Sequence, residues 1–169
     1  ILQKDKQVLK ALIAALLHLK KESIHDVAIT NPIELGAAIS DKDFILDIRV
    51  NLNNEQLIDL EMQMSNEYNW SERSISYAAR SFDQLNSGEE YKEVLPVHSI
   101  GFLNFTLFED QPEFFATYEL RNKKTGHLYS SKFSIHVLDL TRIDLATAED
   151  QNYEIDRWAK LFKAKTWEE

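Results

Sequence analysis

The chain has 169 residues, 44% hydrophobic and 28% charged, as expected of a soluble globular protein of one domain. Its 19 Lys+Arg against 28 Asp+Glu leave a net charge of −9, which argues against coating nucleic acid through bulk positive charge but allows a local patch. Cysteine is absent, which excludes a disulfide framework, a Cys-ligated zinc site and a cysteine nucleophile.

The longest apolar run, Ala11 to Leu17, is seven residues. A membrane span needs about 20, so no membrane partner is expected, and a cytoplasmic setting is. The chain starts at Ile1 rather than Met, so upstream residues are expected to be missing. Four Gly and three Pro leave little room for linkers, and a single domain over 1–169 follows.

In chain order, residues 5–20 predict a helix, with Val8, Leu9, Leu12, Ile13, Leu16 and Leu19 at helical spacing. His18 near its end reads as packing or surface rather than as a ligand. A short strand is expected at Val27–Thr30, stopped by Asn31-Pro32. Two alternating strands follow. Phe44, Leu46, Ile48 and Val50 share one face of the first, and Ile58, Leu60, Met62 and Met64 share one face of the second. Asn53-Asn54 suits the turn between them, because Asn tolerates positive φ. A helix is expected from about Tyr68 to Leu85, with Trp70, Ile75, Ala78, Ala79, Phe82 and Leu85 apolar and Gly88 suited to its stop. Arg73, Tyr77, Arg80 and Gln84 form a second stripe on it. Val94–Phe105 reads as a strand entered through Pro96. Phe114–Arg121 and Leu128–Leu138 read as a hairpin around Asn122–Gly126, and Tyr153–Lys163 as a closing helix packed through Ile155, Trp158, Leu161 and Phe162. This order makes an α+β domain with a mixed sheet flanked by helices.

The register of the first hairpin follows from its pattern. Apolar residues must face apolar residues, so Asp47 lies opposite Glu61, Arg49 opposite Asp59 and Ile45 opposite Gln63. Two opposed carboxylates repel, with Cβ atoms about 5 Å apart. Either a divalent cation compensates, since carboxylate oxygens suit Mg²⁺ or Mn²⁺, or Arg49 and solvent screen the pair on a wet face.

Asp47 and then Glu61-Met62-Gln63, on consecutive strands followed by a helix, resemble the PD-(D/E)XK nuclease superfamily. The closer resemblance is to its recombination-promoting nuclease branch, the Rpn family or PD-(D/E)XK family transposases. The similar stretches are DKDFILDIRV, LIDLEMQ, SERSISYAARSFDQLNSGEEYKEVLPVHSIGFLNF, SIHVLDL and DRWAKLF, in the family's order over most of the chain. The most specific part combines Arg73 and Tyr77, Ser87 to Tyr91 and the Pro96 strand.

This resemblance implies a restriction-endonuclease-like core with an added β-hairpin and C-terminal helix. It implies a Mg²⁺- or Mn²⁺-dependent endonuclease acting on double-stranded DNA in recombination or mobile elements. Asp47 and Glu61 would hold the metal with the Met62 carbonyl, and Gln63 would stand where much of the superfamily has Lys. A Gln amide donates hydrogen bonds but carries no charge. An inactive DNA- or protein-binding module is the alternative, and a homodimer is a further expectation because double-strand cuts need two sites. Arg73 could contact phosphate or pair with Glu61 or Asp59. Tyr77 could stack near the substrate or pack in the core. Lys123 and Lys124, at the hairpin tip, are the preferred separate DNA contact. Basic residues also mark the N-terminus (Lys4, Lys6, Lys10) and the last helix (Arg157, Lys160, Lys163, Lys165), where solvated surface is the simpler reading. No histidine spacing suits zinc, and no Gly-rich phosphate loop or Gly-x-Ser-x-Gly elbow occurs.

Overall fold

The computed structural model describes residues 2, 5–30 and 47–164. Helix α1 spans Lys6–Leu16, β1 Val27–Ile29, β2 Asp47–Leu52, β3 Gln56–Gln63, α2 Trp70–Phe82, β4 Val97–Leu103, β5 Phe115–Glu119, β6 Phe133–Asp139, α3 Ala148–Asn152 and α4 Ile155–Lys163. The sheet order is β1-β2-β3-β4-β6-β5. β3 runs parallel to β4, and β4 to β6, while the other pairs are antiparallel. The α+β class with a mixed sheet between helices is therefore the observed one.

Alternation assigns the two sheet faces. Ile48, Val50, Leu52, Ile58, Leu60 and Met62 are buried with Ile100, Phe102 and Leu138 against Leu9, Leu12, Ile13 and Leu16 of α1 and Ile155 and Ala159 of α4. Each fully buried Leu or Ile contributes about 1.5–3 kcal/mol, so this face holds the sheet together. Helix α1 begins where the Asp5 carboxylate accepts from the amides of Gln7 (2.8 Å) and Val8 (3.3 Å). It stops where His18 takes φ 54° and the amides of Leu19 and His18 return to the carbonyls of Ala14 and Ala15. The His18 ring stacks on Tyr153 with centroids 4.0 Å apart, the packing role expected of it.

The other face carries α2. Its helix is shorter than the sequence predicts, Trp70–Phe82 rather than 68–85, and it buries Trp70, Ser74, Ala78 and Ser81. Ile75, expected in the core, is 54% exposed, because the buried stripe is built from small residues one step round the helix. Ala79 is also exposed. Gly88 does not stop the helix. The helix ends at Phe82, and Gly88 sits at φ 96° in a separate turn. Trp70 lies directly on β4, where a Cβ on Gly101 would come within 2.0 Å of its Cζ2. Gly101 is the residue that lets α2 approach.

Two further expectations change. Leu161 is 50% exposed instead of packed, while Ala159 is fully buried in α4. The second arm of the late hairpin enters the sheet only at Phe133, although Leu128 bridges Arg121. Lys132 interrupts it, its Nζ donating to the carbonyls of Lys92 and Val94 at 2.7 Å each. The expected turn at Asn53-Asn54 is present, with φ 55° and 57°. Phe44 to Leu46, the Ile45–Gln63 pairing, the stop at Asn31-Pro32, Lys4 and Lys165 lie outside the described residues. No helix among the described residues is long and apolar enough to cross a membrane.

Candidate active site

The β2–β3 register brings Asp47 opposite Glu61 and Arg49 opposite Asp59, as the apolar pattern requires. These residues share the α2 face with Gln63. Three carboxylates on one patch would repel strongly if left alone, and the structure treats each differently.

Asp59 is fully engaged. Arg49 Nε donates to its Oδ1 at 2.7 Å, the Ser81 hydroxyl donates to its Oδ2, and Arg49 Nη2 donates to Ser81 Oγ at 2.6 Å. Glu61 is half engaged. Arg73 Nε donates to Oε1 at 2.7 Å, Nη2 forms an ion pair with the same oxygen at 2.6 Å, and Oε2 accepts nothing among the described residues. Asp47 is exposed, and no described donor reaches its carboxylate. Charge-assisted bonds are the strong ones, so Asp59 is a structural anion. Asp47 and Glu61 are the pair with oxygen left to offer.

Burial pushes the Glu61 carboxyl above its usual range, against the lowering pull of Arg73, and the charges of Asp47 and Asp59 push it further up. An anion held at such a cost gains strongly from a nearby cation. Gln63 adds an orphan, because its Oε1 is buried with no hydrogen-bond partner among the described residues. An unpaired buried acceptor costs about 1–3 kcal/mol. The donor set is therefore all oxygen, which matches a hard divalent cation such as Mg²⁺ or Mn²⁺. Among the described residues no group of three or more His, Asp or Glu side chains converges, so the pair would need the Gln63 amide or a backbone oxygen as well. The Met62 side chain is buried in the opposite core, which leaves only its carbonyl for such a role.

Arg73 adopts the ion-pair alternative with Glu61. Tyr77 does not pack in the core. It is 38% exposed, its ring flanked by the guanidinium carbons of Arg73 at 5.1 Å and Arg80 at 5.8 Å. Arg80 has no acidic partner among the described residues, so it is the cation left on this rim. Lys123 and Lys124 are not brought to the site. Their hairpin tip precedes β6, at the end of the sheet where β3, β4 and β6 begin, while Glu61 and Gln63 stand where β3 ends. It also lies between two and three strand spacings from β3, about 12 Å.

The sequence reading missed Ser81 and Ser74 as buried positions under α2. The signal was the helical spacing of Ser74, Ala78 and Ser81 after Trp70, a stripe of small residues that apolar periodicity alone passes over.

Among known proteins, a family model described as PD-(D/E)XK nuclease family transposase matches residues 2–169. No curated protein and no solved structure matches the chain.

Proposed function

The chain belongs to the PD-(D/E)XK nuclease family transposases, and from that premise we propose a metal-dependent endonuclease that hydrolyses phosphodiester bonds in double-stranded DNA, in recombination or mobile elements. The observation that carries this reading is the graded engagement of three carboxylates on one sheet face. Among the described residues Asp59 is saturated, Glu61 keeps Oε2, and Asp47 meets no donor.

Asp47 and Glu61 would hold Mg²⁺ or Mn²⁺, with the Met62 carbonyl as a further oxygen. Bound there, the ion would lower the pKa of a water and screen the phosphate under attack. Gln63 orients the water or the scissile phosphate through its amide, without adding charge. Tyr77 and Arg80 stand on the open side of α2, where a phosphate backbone would approach. Lys123 and Lys124 would touch DNA separately, away from the reacting group.

Plasmid nicking at low salt tests the proposal. Wild-type protein should nick with Mg²⁺ or Mn²⁺, and Asp47→Ala or Glu61→Ala should abolish nicking with the circular dichroism spectrum unchanged. Cleavage surviving both substitutions removes the site assignment. Light scattering on DNA tests the homodimer, and a strict monomer counts against it.

A second reading is a non-catalytic DNA- or protein-binding module. It is favoured by Gln63 in place of Lys and by the grip of Arg73 on Glu61. Calorimetry with millimolar Mn²⁺ and DNA separates the two, since the module should bind no metal.

A further inference from the structure

Two arginines hold two carboxylates on the same face, and the difference between them is informative. Arg49 and Ser81 take one oxygen each of Asp59. Arg73 brings both nitrogens to one oxygen of Glu61, Nε as a donor and Nη2 as an ion-pair contact. A guanidinium facing a free carboxylate ordinarily forks across both oxygens, which gives two parallel bonds. Here the fork closes on Oε1 alone. Oε1 is anchored, and Oε2 is left without a donor among the described residues.

The guanidinium is itself fixed. Its carbon lies 5.1 Å from the centre of the Tyr77 ring, one turn along α2, within cation–π range. Trp70 seats the start of that helix on Gly101 of β4, where a side chain at 101 would clash with the indole. The Tyr77–Arg73 contact ends on one atom, Glu61 Oε1.

We propose that Arg73 is a positioning residue for Glu61: it occupies Oε1, leaves Oε2 as the available oxygen on the residue paired with Asp47 in the strand register, and thereby makes Glu61 a one-oxygen ligand for a divalent cation. This rests on the metal-dependent reading above and assigns Arg73 a role other than phosphate contact. Outer-shell partners of metal-ligating carboxylates typically contribute 10–100-fold in metal affinity.

Calorimetric titration of Mn²⁺ into the DNA-free protein tests it. Arg73→Gln should weaken Mn²⁺ binding about ten-fold. Arg73→Lys should recover only part of the loss, because an ammonium is a point donor without a planar fork. Arg80→Gln, which removes a cation from the other side of the same ring, should leave Mn²⁺ affinity unchanged. Unchanged or tighter binding in Arg73→Gln overturns the proposal, since it would make Arg73 a bystander or a competitor for the carboxylate. An equal loss in Arg80→Gln also overturns it. Should Arg73→Gln fail to fold, the wild-type protein gives the answer by NMR: the Arg73 Nε–H should stay protected from exchange at saturating Mg²⁺, and its loss of protection rejects the proposal. Glu61→Gln separates this failure from that of the underlying reading. If Glu61→Gln binds Mn²⁺ as tightly as wild type, Glu61 is no ligand and the metal assignment itself falls.

Discussion

The two faces of this sheet are built from the same strands, and they solve the burial of polar groups in different ways. On the α1/α4 face the polar side chains of β4 and β6 are His98, Ser134 and His136, while His18 Nε2 at the end of α1 is buried without a partner among the described residues. Those of β4 and β6 satisfy one another: His98 Nδ1 to Ser134 Oγ at 2.7 Å, Ser134 Oγ to His136 Nε2 at 2.9 Å, and Thr117 Oγ1 to His136 Nδ1 at 3.0 Å. On the α2 face the charges are only partly satisfied, and an acceptor of Gln63 and the Trp70 Nε1 are buried without partners. A closed polar network stabilises a single packing, whereas an incomplete one costs stability and is kept where something else completes it. That difference is the ground for proposing the α2 face, where the unsatisfied groups include charges, as the working one.

The largest effect that would break this contrast is found at adjacent residues. Glu61→Gln should lower nicking by at least about 100-fold while moving Tm by only a few degrees, because 1 kcal/mol shifts Tm by about 2–4 °C at this size. Leu60→Ala, one residue earlier and on the opposite face, should cost about 2–5 kcal/mol of stability. Urea unfolding and nicking assays on both variants check the pair. Comparable stability losses at 60 and 61 would mean that the faces are not functionally distinct.

Gly101→Ala should come next. The added Cβ meets a rigid indole rather than a flexible chain end, so Trp70 must move and overpacking should cost about 1–3 kcal/mol. Displaced α2 should also loosen the Arg73–Glu61 contact. Trp fluorescence and Mn²⁺ titration read the two consequences, and an unchanged emission spectrum at full metal affinity sinks the argument for Gly101 as the seat of the helix.

The faces should also differ in their response to pH. Burial, reinforced by the charges of His98 and His18, holds His136 down at about 3, and burial lowers His98 too. An unfolded histidine titrates near 6.5, so below that pH the unfolded chain binds protons that the folded chain refuses. Stability therefore falls as pH drops from about 6.5 towards 3, by up to about 1.4 kcal/mol per pH unit for His136. Glu61 acts with the opposite sign. Its raised folded value means that acidification below that value relieves its ionised form, a gain that ends near the unfolded carboxylate value. His136→Gln should flatten the acid limb by about one proton in urea titrations at pH 7, 6, 5 and 4. Parallel limbs for the two proteins would show that the histidine network does not set acid sensitivity.

The core face was legible in the sequence because period-two alternation in β2 and β3 leaves one register that pairs apolar with apolar. The Asp47–Glu61 opposition came directly from that register. The α2 face was less legible. Ile75 fits a helical stripe yet stays outside, since Gly101, Ser74, Ala78 and Ser81 let the α2 backbone approach closely and shift its buried stripe toward small residues. Hydrophobic periodicity carries no information about such an approach. The split between Asp59 and Glu61 was also hidden, because it depends on which side chain of α2 stands above each carboxylate: Ser81 above one and Arg73 above the other. The His98–Ser134–His136 network needs the parallel β4–β6 register, which places His98 beside Ser134 and which neither strand's own pattern specifies.

The smallest effect belongs to the basic hairpin tip, and it sharpens the comparison by testing whether any DNA contact lies off the working face. Lys124 uses its backbone amide to close the turn on Asn122 Oδ1 at 2.9 Å, so its side chain is not needed to hold the hairpin. Lys123→Ala with Lys124→Ala should therefore change stability by no more than about 0.5 kcal/mol. If both lysines meet phosphates, the slope of log binding constant against log salt should fall by nearly 2, because each phosphate contact contributes about 0.9 for duplex DNA. Mn²⁺ affinity should not move, since the tip stands at the opposite end of the sheet from Asp47 and Glu61. An unchanged salt slope would confine DNA recognition to the α2 side, where Arg80 is the cation still available. A changed slope with intact metal binding would instead mean that DNA spans the sheet from its basic tip to its acidic end, a path on which the net charge of −9 is offset locally at both termini of the contact.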